Sequence, residues 1–180
     1  MDCVRCAAKT CRTTNSCGAE KFEKEELISA YSETENQKIV QVAASLVDNG
    51  RAGTLSRIQE IIEFIKSMQY ARVGLAYCYG MELDAARLKV HFKEQGINLI
   101  TVSCTVGGVA QDEVNSESCI HKVSCNPLGQ ALQLNAEKVD LVLIMGICLG
   151  HDILLQRNLQ ADSTTLLVKD RVFKHNPLLA

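Results

Sequence analysis

Nine cysteines stand among 180 residues, and four of them, Cys3, Cys6, Cys11 and Cys17, open the chain in the pattern C-x2-C-x4-C-x5-C. Four thiolates on short polar loops can surround one zinc ion or an iron–sulfur cluster without a hydrophobic core beneath them. The spacing therefore reads as a metal-binding knuckle over residues 1–20. A single C-x2-C elbow followed by unequal loops suits an iron–sulfur cluster and also some zinc lobes, so the choice between the two metals stays open.

Four further cysteines follow a second logic. Cys78 precedes Tyr79-Gly80, Cys104 precedes Thr105-Val106-Gly107-Gly108, and Cys148 precedes Leu149-Gly150-His151-Asp152. Each closes or follows a short apolar run, and each has a glycine within three residues, where backbone can approach a ligand closely. Cys125 precedes Asn126-Pro127; proline in the first helical position would set that thiol at a helix N-terminus, where the dipole favours thiolate. Free cysteine also serves as a small buried hydrophobe. Recurrence at three equivalent strand ends favours a site, so Cys78, Cys104, Cys125 and Cys148 are read as lining a cofactor or ligand pocket. His151 is the proton-transfer candidate there, while Asp152 suits a helix cap. Lys169 and Asp170 leave the last apolar run at the same pole and are assigned to orienting an anionic group. Cys119 receives no role.

These residues need elements to position them. Thr34-Glu35-Asn36-Gln37 has the form of a capping box, leading into Ile39, Val40, Ala43, Leu46 and Val47 on one helical face. Ser56-Arg57-Ile58-Gln59 has the same form and begins a helix whose expected stripe is Leu55, Ile58, Ile61, Ile62, Ile65 and Met68. Two helices joined by Arg51-Ala52-Gly53 are expected to pair. From Arg72 onward short apolar runs alternate with amphipathic ones, as in βα units around a parallel sheet. Strands are expected at 72–78, 98–104, 140–145 and 164–169, with helices at 82–95, 127–136 and 153–158. The expected fold is α/β, a small doubly wound parallel sheet of about four strands, preceded by the cysteine knuckle and a helical pair. The knuckle is assigned residues 1–20 and the α/β domain residues 21–180. The polar stretch 105–125 is long for a connection in a compact domain and is read as covering a site.

Composition narrows the functional classes. With 19 basic and 21 acidic residues scattered along the chain, the net charge of −2 offers no electrostatic footprint for nucleic acid or an anionic membrane. Aromatic residues make up 4%, too few for a base-stacking surface. The apolar run 141–149 is broken by Gly146 and too short to span a bilayer. With no apolar leader at its start, the chain is expected in the reduced cytoplasm. The partners implied are a small-molecule ligand or a redox partner.

Several of these segments together resemble a known family. They are Cys125-Asn126-Pro127 with Gln130-Ala131 and Leu134-Asn135, the run from Gly146 to Asp152, Val168-Lys169-Asp170-Arg171 and His175-Asn176-Pro177. Phe64, Cys78, Gly80, Glu82 and the N-terminal cysteines extend the likeness over nearly the whole chain. The chain resembles a cysteine-rich prokaryotic family described as an uncharacterised metal-binding protein of unknown function. The resemblance implies metal binding and carries no reaction. A proline is expected where Ala161-Asp162-Ser163 stand, and relatives are expected to continue beyond Asn176-Pro177.

The reading at this point is a metal-binding protein, zinc or iron–sulfur, with a cysteine-lined pocket suited to redox, sulfur-transfer or metal-assisted chemistry on a small molecule. The competing reading is a zinc-stapled adaptor, metal carrier or redox sensor without turnover.

Overall fold

The computed structural model describes residues 1–13 and 15–179. By its packing the chain divides into two compact units, Met1–Ala52 and Gly53–Ala180. In the first, a 3-10 turn at Thr10–Thr13 precedes helices α1 (Lys24–Tyr31) and α2 (Thr34–Val47), which pack against each other. Helix α1 lies in a polar stretch that gave no periodic signal. Thr34 is the first residue of α2 rather than its cap: Glu33 holds the N-cap position and no side chain caps the helix.

The second unit begins with helix α3 (Arg57–Met68). Here the capping box forms as expected, with Ser56 and Gln59 each bonding the other's backbone N–H. The apolar stripe Ile61, Ile62, Ile65 and Met68 is buried. Then come β1 (Val73–Tyr77), α4 (Glu82–Glu94), β2 (Leu99–Ser103), α5 (Gln111–Val114), α6 (Pro127–Ala136), β3 (Leu141–Met145), α7 (His151–Asn158) and β4 (Asp162–Leu167).

The four strands form one parallel sheet in the order β2-β1-β3-β4. The first crossover, through α4, runs outward from β1 to β2. The next returns past β1 to β3, and the third continues outward to β4 by way of α7. Right-handed crossovers in opposite directions cover opposite faces of the sheet, which makes the fold doubly wound. Helices α6 and α7 accordingly pack together.

Burial follows position in the sheet. Every residue of central β3 is buried, and so are the first four of β1. Edge strand β4 is different, with Asp162 and Ser163 exposed. It starts two residues before the expected start at residue 164, because an edge strand tolerates polar residues. Gly74 of β1 is required by packing: a Cβ there would stand 2.7 Å from Leu134 Cδ2 of α6. Among the described residues no helix is long and apolar enough to cross a membrane.

Candidate thiol and metal site

Crossovers diverge between β1 and β3, which makes the carboxyl ends of these strands the switch point where a doubly wound sheet leaves a crevice. Cys78 follows β1 directly. After β3 the chain turns at Gly146, whose φ is +62°, and Cys148 follows two residues later, just before α7. A Cβ on Gly146 would collide with Met81 Sδ, so both conformation and space demand glycine there. Cys104 follows β2, beside Cys78 in register. Cys125 precedes α6, where Asn126 accepts the Gly129 N–H at 2.8 Å and Pro127 occupies the first turn.

The structure brings these four thiols into one contiguous cluster. Cys125 Sγ lies 3.7 Å from Cys104 Sγ. Cys104 adjoins Cys78 on one side, and Cys148 adjoins Cys125 on the other. Cys78 and Cys104 are buried, whereas Cys125 and Cys148 are half-buried. Backbone and cationic donors face the sulfurs. The Tyr79 N–H donates to Cys104 Sγ at 3.3 Å, Lys169 Nζ to Cys78 Sγ at 3.2 Å, and Arg171 to Cys148 Sγ at 3.1 Å.

The thiols differ in character. Burial pushes Cys78 up, but the Lys169 ammonium and the Gly80 N–H outweigh it and hold the thiol below its ordinary range. Burial, with the neighbouring thiols, pushes Cys104 up to about 12. Cys125 is also pushed up, chiefly by burial. One member of the cluster is thus poised to ionise beside two that stay protonated.

His151, the first residue of α7, joins this group. One ligand atom each from Cys125, Cys148 and His151 lie within 4.8 Å of one another, the only such group of three among the described residues. His151 Nδ1 is buried without a hydrogen-bond partner. A buried imidazole nitrogen left unpaired carries a desolvation cost that a metal ion would relieve. Two thiols and one imidazole match the Cys2His donor set of zinc, with one position left for a further ligand.

Other expected site residues lie differently. Asp170 serves its own turn, its Oδ1 accepting the Val172 and Phe173 N–H groups at 2.8 and 2.9 Å. Asp152 Oδ1 accepts the Gly150 and Ile153 N–H groups, as a residue at the start of α7 should. Within the first unit, Cys3, Cys11 and Cys17 are exposed and Cys6 is half-buried. No three of these four sulfurs lie within 4.8 Å of one another. Cys6 Sγ accepts the Lys9 N–H at 3.3 Å, and the Cys17 N–H donates to Glu20 at 2.9 Å. That bond, the Glu20 backbone N–H and the Ser16 hydroxyl hold the Glu20 carboxyl at about 2.

The stretch 105–125 contains α5 and closes on itself through an antiparallel bridge between Ala110 and Val123, which delivers Cys125 to the cluster. Cys119 within it is exposed.

Two residues gained no role from sequence. Arg171 contacts Cys148, and only its place in a charged triplet after β4 signalled it. Gln130 is fully buried, and its Nε2 donates to Val102 O at 2.9 Å and Tyr77 O at 3.3 Å, tying the carboxyl ends of β1 and β2 together. Its signal was a polar residue on the buried face of α6 shared by Pro127, Ala131 and Leu134.

The family described as "Protein of unknown function (DUF1847)" matches residues 14–166. The uncharacterized protein MJ0455 of Methanocaldococcus jannaschii is 37% identical over 180 residues, covering 98% of this chain and 91% of the relative. No solved structure matches.

Proposed function

We propose a function from the premise that the chain belongs to the DUF1847 family of unknown function: it is a cytoplasmic metal-binding protein whose Cys125, Cys148 and His151 hold a zinc ion at the carboxyl edge of the sheet. The observation that carries this reading is a His151 ring nitrogen within 4.8 Å of two thiols, on an imidazole whose Nδ1 is buried and unpartnered. Zinc, when bound, would polarise a ligand in its open position. In this reading His151 is a ligand rather than a proton carrier. Lys169 holds negative charge on Cys78, Arg171 donates to Cys148 Sγ, and the adjoining thiols suit redox or sulfur-transfer chemistry on a small molecule. Cys3, Cys6, Cys11 and Cys17 form a second centre, supported by their number and close spacing.

Metal analysis of protein purified without oxygen tests the reading. Zinc is expected, with about one equivalent lost in both Cys148→Ala and His151→Ala. Unchanged zinc in both variants would refute the internal site. Brown protein with iron and acid-labile sulfide would replace zinc by a cluster on the cysteines. Bound metal with no reactive thiol in the cluster would favour an adaptor or carrier.

A further inference from the structure

Two thiols of the cluster lie outside the proposed ligand set. The register that sets Tyr77 opposite Ser103 places Cys78 and Cys104 side by side one residue further on. The ladder continues there, since the Cys104 N–H donates to Tyr77 O at 2.9 Å. Neighbouring strands run about 4.8 Å apart, within the roughly 4.4–6.8 Å between Cα atoms that a disulfide spans. Register neighbours in a parallel pair also direct their side chains to the same face. A disulfide between them therefore needs little backbone movement.

Cys78 has the surroundings of an attacking thiolate. Its sulfur meets the Lys169 ammonium at 3.2 Å, and the Gly80 N–H also points at it. The same contacts hold its thiol below the ordinary range in spite of burial. Yet the residue is only 5% exposed, and Cys104 only 3%. Burial of this degree shuts out bulky electrophiles such as protein disulfides, so an oxidant of these thiols must be small.

We propose that Cys78 and Cys104 form a dithiol pair that reduces hydrogen peroxide. The Cys78 thiolate attacks one peroxide oxygen, the O–O bond breaks, and hydroxide leaves, taking up a proton to become water. Cys78 becomes a sulfenic acid. Cys104 then gives up its thiol proton and attacks Cys78 Sγ. The S–O bond breaks, a second water leaves, and a Cys78–Cys104 disulfide remains. Two thiols and one peroxide thus yield one disulfide and two waters. The inference goes beyond the metal reading and uses different residues, so either can fail alone.

The test treats the full-length protein, purified without oxygen, with one equivalent of hydrogen peroxide. Thiol titration and peptide mapping under non-reducing conditions give the readout. The expected result is the loss of two thiols and a linked Cys78–Cys104 peptide pair. Cys104→Ser should leave a Cys78 sulfenic acid, read as a gain of about 16 Da on the Cys78 peptide, and Cys78→Ser should slow oxidation of Cys104 about tenfold or more with its metal content unchanged from the parent. A Cys104–Cys125 link in the wild type, or no linked pair at all, would overturn the proposal even if no variant folds. Unaltered oxidation of Cys104 in Cys78→Ser would overturn it too.

Discussion

Lys169 Nζ lies 3.2 Å from Cys78 Sγ, joining the segment after edge strand β4 to the end of β1 across the sheet's switch point. The contact reverses what burial alone would do to the thiol. In Lys169→Met the desolvation remains and the cation is gone, so the midpoint of Cys78 ionisation moves up in pH. Each unit above neutrality removes about tenfold in thiolate, partly offset because a more basic thiolate is the better nucleophile. The rate of Cys78 oxidation by hydrogen peroxide at neutral pH should fall by about three- to tenfold, with the rate–pH profile displaced to higher pH. A profile that does not move would show that Lys169 leaves the thiol's ionisation alone.

Gln130 is a positioning residue for the same edge of the sheet. Its Nε2 bonds the carbonyls of Val102 and Tyr77, one residue or two before the paired cysteines. Gln130→Leu keeps the volume and removes both bonds; Tyr77 O still accepts the Cys104 N–H, and removal of the buried, unpartnered Gln130 Oε1 offsets part of the loss, which is about 1 kcal/mol. Urea denaturation should show the midpoint falling with an unchanged slope. Gln130→Glu should be worse at neutral pH than in mild acid. Burial raises the carboxyl above its unfolded value, so stability falls as pH rises through the range where the unfolded chain ionises. Equal stability of both variants with the parent would place the amide outside the strand-end network.

The central part of the fold was legible because burial on both faces leaves an unbroken apolar run, as in β1 and β3. Helix α6 was legible through Asn126-Pro127, whose cap and proline fix its start. Helix α1 was not, since Lys24–Tyr31 buries no residue and has no side-chain cap. Strand β4 was displaced because its polar first half lies at an exposed edge. At the site, the recurrence of cysteine at strand ends marked Cys78, Cys104 and Cys148, but their order in space depends on strand order. The pairing of β2 with β1 in the order β2-β1-β3-β4 sets Cys104 beside Cys78. Asp170 and Lys169 are adjacent in sequence yet serve different ends, one a turn and the other a thiol. No spacing rule separates them.

Gly146 carries a prediction about stability and site together. Its left-handed φ of +62° and the nearness of Met81 Sδ to the place a Cβ would take both oppose any side chain. Strain and overpacking of this kind cost about 1–3 kcal/mol each. At about 2–4 °C per kcal/mol for a chain of this size, Gly146→Ala should lower Tm by several degrees. Adding Met81→Ala to it should not cost the sum of the two single changes, because the smaller side chain relieves the clash. Strict additivity in the double-mutant cycle would mean that the two positions do not compete for space.

Metal binding to the folded chain alone must appear as stability. If Cys125, Cys148 and His151 form a preorganised set, free zinc at about a hundred times its Kd adds about 2.7 kcal/mol. For this chain length that raises Tm by about 5–10 °C. The increment should shrink in Cys148→Ser and in His151→Ala, and chelation should return the parent to its metal-free Tm. The N-terminal cysteines provide the control. Cys3→Ser with Cys6→Ser removes any contribution from the first unit and should leave the site-dependent part of the increment intact. Were the whole increment lost in that variant and kept in Cys148→Ser, the stabilising metal would belong to the N-terminal cysteines, and the buried Nδ1 of His151 would need another partner.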